Sequence, residues 1–255
     1  MKKRIYIIYT LIAFLIAAPL MAQSSIEAAS EAYRAEDYLR SIQLYEQVVA
    51  QDLHEGRESA EVYYNLGNAY FRNGDMAKAI LNYERSLLLN PGDKDTRHNL
   101  QFARTRIEDK IDVADQFFLT NWVKGLKNMF NSNTWAGIGI GLFILLLVAL
   151  FAYFFVKVVW IRKVGFYSAI VLFVLMLVAN SFAFNQKSKR LHRNSGIIMP
   201  ATASVMASPD ANSQELFRLH EGTKVRINKT DGNWVEVEIA TGNVGWTSKE
   251  NIETI

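Results

Sequence analysis

The chain has no cysteine. That excludes structural disulfides, a thiol nucleophile, iron–sulfur ligation and any cysteine-based zinc site. It also leaves the chain tolerant of an oxidising compartment. The histidines, His54, His98, His192 and His220, are scattered and form no His-Glu-x-x-His motif. There is no Gly-x-Ser-x-Gly elbow and no phosphate loop. Acidic side chains are missing from residues 134–193, where seven basic ones stand. The polar parts on either side carry more acid than base. The basic excess therefore makes no patch on a folded domain of the kind nucleic-acid binding needs. These absences argue against an enzyme, a metal, a cofactor and a nucleic-acid partner.

Long apolar runs are what the chain has instead. Lys2, Lys3 and Arg4 precede an apolar stretch from Ile5 to Ala18, and Pro19-Leu20-Met21-Ala22 would precede a cut before Gln23. Residues 1–22 read as a signal peptide. Trp135–Val156 is an uninterrupted apolar run, and Val164–Phe184 is a second long run. At 1.5 Å per residue the first reaches about 33 Å, a bilayer core. The seven residues 157–163 between them are too few to cross back, so the spans form an antiparallel transmembrane hairpin. Lys157, Arg162 and Lys163 place that loop in the cytoplasm by the positive-inside rule. Lys187, Lys189, Arg190 and Arg193, in a basic linker over 185–194, argue the reverse. The exported leader decides for a cytoplasmic loop, with both polar domains in the periplasm and the hairpin in the inner membrane of a bacterium. Neither span holds a charged residue or histidine, which argues against an ion or proton path. Gly137 and Gly141 suit either a small-residue packing face or simple tolerance near a helix start. Phe118, Trp122, Leu126, Met129 and Phe130, with Lys124 and Lys127 between them, predict an amphipathic helix over 113–133, lying on lipid or packed on the preceding domain.

Residues 23–112 are helical in pattern. From Ala60 to Pro91 the stretch Tyr63, Leu66-Gly67, Tyr70, Gly74-Asp75, Ala79, Tyr83 and Pro91 resembles a tetratricopeptide repeat over its whole period. Gly67 and Ala79 let two antiparallel helices approach. Tyr63, Leu66, Tyr70 and Tyr83 fill the seam. Gly74-Asp75 turns and caps, and Pro91 stops the second helix. Ser86 stands where a small apolar residue is usual. A degenerate copy lies upstream, aligning Asp37-Tyr38, Ser41-Ile42 and Tyr45 with Asp75-Met76, Ala79-Ile80 and Tyr83, with an insertion near Leu53–Arg57. Asp93 to Ile111 supplies a capping helix. Such a solenoid falls below the repeat number that is stable alone, so it needs support from the membrane-proximal helix or a partner. Its concave groove would hold an extended peptide or a helix. The repeat positions name Tyr33 and Arg34, then Tyr64, Asn68, Phe71 and Arg72, and finally Phe102, as protein-binding residues. Tyr64 replaces the cation that carboxylate-clamp repeats carry.

After Arg193 the period changes to two. Five short strands, near Gly196–Met199, Ala203–Ala207, Thr223–Ile227, Trp234–Ile239 and Asn243–Trp246, predict a small barrel over 195–255. Glu221-Gly222, Asp231-Gly232-Asn233 and Thr241-Gly242-Asn243 are its turns. Val205 with Ser208-Pro209, Leu219 with Glu221-Gly222, Val225, Trp234-Val235 and Gly245-Trp246 resemble a bacterial SH3 domain. The acidic-aromatic opening that reads proline-rich peptides is missing. Trp234 and Trp246 are expected to pack in or near the core.

The expected fold is multidomain: an all-α tetratricopeptide-repeat solenoid, a transmembrane helical hairpin and an all-β SH3-like barrel. This order of leader, repeats, two spans and SH3 module resembles the BatE-type proteins of the Bacteroides aerotolerance operon. The resemblance implies a non-catalytic, membrane-anchored scaffold in an envelope complex linked to oxidative-stress tolerance. It implies von Willebrand A-domain and other repeat proteins of the same operon as partners, with membrane lipid around the spans. Two alternatives stay open, a peptidoglycan-binding anchor acting through the SH3 module and an accessory subunit of an envelope enzyme or transporter.

Overall fold

The computed structural model describes residues 25–110 and 118–255. The leader over 1–22 and the first part of the juxtamembrane helix lie outside the described residues. The chain divides into two compact units. One joins the N-terminal helices to residues 194–255, and the other holds residues 115–193 with 90–92.

In the first unit, helix α1 covers residues 25–34. It is followed by α2 (Tyr38–His54), α3 (Ala60–Asn73), α4 (Met76–Leu89) and α5 (Lys94–Arg104). Short polar side chains start them, each accepting an amide N–H that the first turn leaves unpaired. Asp37 accepts from Arg40 at 3.1 Å, Ser59 from Val62 at 3.3 Å, and Asp75 from Lys78 at 3.0 Å. Asp93 accepts from Asp95 and Thr96 at 2.9 and 3.2 Å. Gly74 ends α3 in the left-handed conformation, φ 93°, which glycine adopts without a Cβ penalty. At the α3–α4 crossing, a Cβ on Gly67 would lie 2.8 Å from two ring carbons of Tyr83. The missing side chain is what seats that ring. Ser86 keeps its place because its hydroxyl donates to the Ala60 carbonyl at 2.7 Å, and Ser41 likewise donates to Ala29 at 2.9 Å. A buried hydroxyl so paired avoids the desolvation penalty. The capping helix ends at Arg104, short of the expected Ile111. The segment after it turns toward the sheet.

That sheet has seven strands where the alternation predicts five. They are β1 (Ser195–Ile198), β2 (Thr202–Met206), β3 (Glu215–His220), β4 (Lys224–Asp231), β5 (Trp234–Glu238), β6 (Val244–Ser248) and β7 (Ile252–Thr254). All described pairs are antiparallel, in the order β3-β2-β6-β5-β4-β1-β7. β3 escapes the pattern because only Leu219 is buried along it, and β7 is too short to show a period. The barrel expectation is corrected too, since β3 and β7 end the order and the sheet does not close. Ile198, Ala203, Val205, Leu219, Val225, Val235 and Val237 form its core. Trp234 and Trp246 are half-buried.

Ile197 and Ile255 pack into the same buried cluster as Ile80, Leu81 and Tyr83 of α4. Support for the short solenoid, expected from the membrane-proximal helix or a partner, comes among the described residues from the sheet. Burying apolar area against it does what a further repeat would do.

The second unit contains α6 (Phe118–Lys127), α7 (Ser132–Phe155) and α8 (Val159–Leu191). The last two are 24 and 33 residues long with mean hydropathy 2.7 and 2.1, long and apolar enough to cross a membrane. Their connection is residues 156–158, shorter than expected, and Arg162 and Lys163 lie within α8. The basic stretch at 185–194 is mostly helix rather than linker. Lysine and arginine are good helix formers and suit the negative end of the helix dipole. The hairpin closes where a Cβ on Gly165 would lie 2.9 Å from the Ala149 carbonyl and 3.0 Å from the Tyr153 nitrogen. Gly139 faces Asn180 in the same way, whereas Gly137 and Gly141 meet nothing within 4 Å. Of the three glycines, the middle one packs against α8.

Candidate protein-binding site

α1, α3, α4 and α5 bring six side chains around a hollow of about 140 Å³: Tyr33, Asn68, Phe71, Tyr83, Asn99 and Phe102. Helical spacing explains the α3 pair, because Asn68 and Phe71 are three apart on one face. Asn99 and Phe102 repeat that spacing on α5. The Phe71 and Phe102 rings lie 5.6 Å apart between centroids, a tilted pair. The Asn68 side-chain oxygen accepts from the Tyr83 hydroxyl at 2.8 Å and from the Asn99 amide at 2.9 Å. The Asn99 amide also reaches the Tyr64 hydroxyl at 3.4 Å. Burial pushes the Tyr83 hydroxyl well above its usual pKa, and burial raises Tyr33 as well. Both stay neutral donors across physiological pH. The hollow therefore offers an aromatic rim and a fixed amide pair at its floor.

Four of the seven predicted residues, Tyr33, Asn68, Phe71 and Phe102, line this hollow together. Tyr64 stands at its edge, 6.3 Å from Tyr83 between ring centroids. Arg72 does not line it. Its guanidinium donates to the Tyr38 hydroxyl at 2.6 Å and sits 5.1 Å over that ring. Arg34 is exposed outside the lining. Tyr83 and Asn99 complete the site and were not among the predicted residues. Tyr83 reads from its repeat position as seam filler, and its reach through the gap over Gly67 appears only in the packing. Asn99 was legible as the α5 neighbour of Phe102, one helical turn away.

A second set of polar contacts fixes the sheet on the helices. Asp109 turns both carboxylate oxygens to the β3–β4 corner. It accepts from the His220 backbone N–H at 2.7 Å and the Thr223 hydroxyl at 2.6 Å, and it faces His220 Nδ1 at 2.8 Å. Burial alone would raise the Asp109 pKa, but these hydrogen bonds outweigh it and hold it below the usual value. The bond to Asp109 raises His220 above 6.5. Glu84 is buried and pairs with both Arg104 and Lys224, the latter at 2.7 Å. Arg85 donates to Glu253 at 3.0 Å and to the Thr254 carbonyl at 2.7 Å. Among the described residues, no group of three or more His, Asp or Glu side chains could hold a metal ion.

Comparison with known families agrees with two of these modules. Residues 60–93 match the tetratricopeptide repeat, and residues 200–253 match the bacterial SH3 domain. No curated protein matches the chain. The class that emerges combines a tetratricopeptide repeat, a bacterial SH3 domain and two apolar helices long enough to cross a membrane.

Proposed function

We propose that the protein is a non-catalytic scaffold, anchored by α7 and α8 in a bacterial inner membrane, that captures a protein partner in the hollow between α1, α3 and α5. The observation that carries this reading is the convergence of Tyr33, Phe71 and Phe102 around the Asn68–Asn99 pair. An apolar side chain fits the rim, and the amides can hydrogen-bond its backbone. The placement of the flanking domains in the periplasm rests on the leader and the even number of spans. The envelope complex and its link to aerotolerance rest on the BatE-type resemblance.

The test is crosslinking in native membranes followed by identification of the trapped protein. Phe102→Ala removes a ring that is 46% exposed, so it leaves the fold intact. Truncating such an anchor costs about 2 kcal/mol or more, roughly a thirtyfold loss of affinity. The expected outcome is loss of the trapped partner by Phe102→Ala with unchanged melting. Capture at wild-type level would refute the groove reading. Topology is checked separately by reporter fusions after Asn131, Trp160 and Ile255. Only the Trp160 fusion should report cytoplasm.

The bacterial SH3 match favours a second reading, peptidoglycan binding through the sheet. Retention of purified sacculi by the full chain, lost on sheet variants, would support it.

A further inference from the structure

The repeat and the sheet leave a cleft where they meet. It holds about 510 Å³ and opens between the end of α5, residues 105–110 and the β3–β4 corner. This is the size range of pockets that take a small ligand or a short peptide segment. Arg104, Lys110 and Lys224 line it together with Ile107 and Ala240. Asp109 also lines it, but both its oxygens are taken by His220 and Thr223. Glu84 holds Arg104 and Lys224 by one oxygen each, with its side chain 9% exposed. Arg104 and Lys224 are 44% and 41% exposed. Glu84 thus fixes two cationic heads while leaving each with further N–H donors. Lys110 is exposed and has no ion pair among the described residues. The cleft therefore presents oriented cationic donors beside an apolar wall, with positive charge in excess of the two carboxylates.

We infer that this cleft is a binding site for a short acidic peptide segment of a protein partner, with a carboxylate seated on Arg104 and Lys224 and an adjacent apolar side chain against Ile107. A carboxylate matches the guanidinium fork and gains from charge-assisted bonds. The preorganised donors lower the ordering cost of binding. The site lies outside the hollow proposed above, and it depends on the repeat and the sheet being docked.

The test uses the full chain in zwitterionic nanodiscs and a fluorescent, end-blocked peptide, Gly-Leu-Asp-Glu-Leu-Gly, read by anisotropy. The isosteric Gly-Leu-Asn-Gln-Leu-Gly is the control. The acidic peptide should bind, the amide peptide about tenfold or more weaker, and affinity should fall as salt screens the contact. Lys110→Gln with Arg104→Gln should weaken the acidic peptide by about tenfold or more. Ala240→Phe should weaken it without changing charge, by filling the cleft. Lys110→Gln alone breaks no internal ion pair, so its effect reads binding and not folding. Phe71→Ala, in the hollow, should leave this binding unchanged. Equal binding of the two peptides, or wild-type binding by the cleft variants, would overturn the inference. So would loss through Phe71→Ala instead.

Discussion

Tyr83 in the repeat is 1% exposed and Phe151 in the hairpin is 60% exposed, although both are large aromatic side chains on regular helices. In the first unit the biggest apolar side chains fill the interior, and the buried hydroxyls of Ser41 and Ser86 are paired. In the hairpin the order is reversed. Phe143, Leu145, Leu147 and Phe151 point outward, and the buried positions are mostly small, Gly139, Gly165, Ala149, Ala169 and Ala179, with Leu146, Trp135 and Gln186. The difference is the one a single physical rule gives against water and, under the proposed membrane placement, against lipid. Where water surrounds the unit, burial of large apolar area drives folding. Under the proposed membrane placement, helices in lipid gain nothing by hiding leucine, and close backbone approach at small residues holds them together.

The sharpest way to break the contrast is to truncate an aromatic in each region. Tyr83→Ala should destabilise the first unit by about 3–5 kcal/mol, since it empties a filled seam. Segment-resolved hydrogen exchange would show it as lost protection in α3 and α4. Phe151→Ala should leave hairpin protection within about 0.5 kcal/mol, as an outward substitution does.

Glycine provides the converse test. Gly165→Leu would drive a side chain into the α7 backbone and should cost the hairpin about 1–3 kcal/mol. Gly141→Leu meets open space and should be silent. The absence of native cysteine makes the assay clean. Disulfide formation between Ala149→Cys and Ala169→Cys, on facing helices, should fall with Gly165→Leu and persist with Gly141→Leu.

A third measurement asks whether the repeat and sheet behave as one unit. Asp109→Ala removes the acceptor of the corner bonds and should weaken their docking by about 2 kcal/mol. Helix and strand segments that exchange together in the wild type would then exchange separately.

The smallest effect is in pH. His220 has a folded pKa raised above 6.5, so its contribution is fully present below 6.5 and is lost as pH rises through the folded value. Asp109 has a folded pKa below 3.8, so its contribution is present above 3.8 and is lost as pH falls through the folded value. Docking should be firmest between about pH 4 and 6.5, with a shallow decline on the alkaline side. The decline is shallow because neutral His220 still donates from Nδ1 to Asp109. His220→Gln should flatten the alkaline limb in a melting series.

Much of the architecture was legible locally. The α3–α4 pair follows from Gly67, Gly74-Asp75 and Pro91, because close approach, turn and stop are properties of single residue types. The two apolar helices follow from composition, and α8 runs on into the basic stretch to Leu191 because lysine and arginine continue a helix well. In the site, Asn68, Phe71 and Phe102 could be placed by helical spacing. Arg72 could not be excluded that way, because its engagement with Tyr38 joins α3 to α2. The missed strands β3 and β7 lack a clear alternation, β3 because Leu216 is exposed and only Leu219 is fully buried, and β7 from shortness.

By itself, then, the sequence determined the elements: their caps, their period, and how apolar each one is. These depend on neighbours within a few residues, and local sterics and hydrogen bonds enforce them. The tertiary structure alone decided that the sheet completes the short solenoid, that it stays open at β3 and β7, and that Asp109 meets His220 across a separation of 111 residues. Such contacts have no periodic trace. They exist because two surfaces formed by separate segments match in shape and charge, and that match is a property of the folded pair.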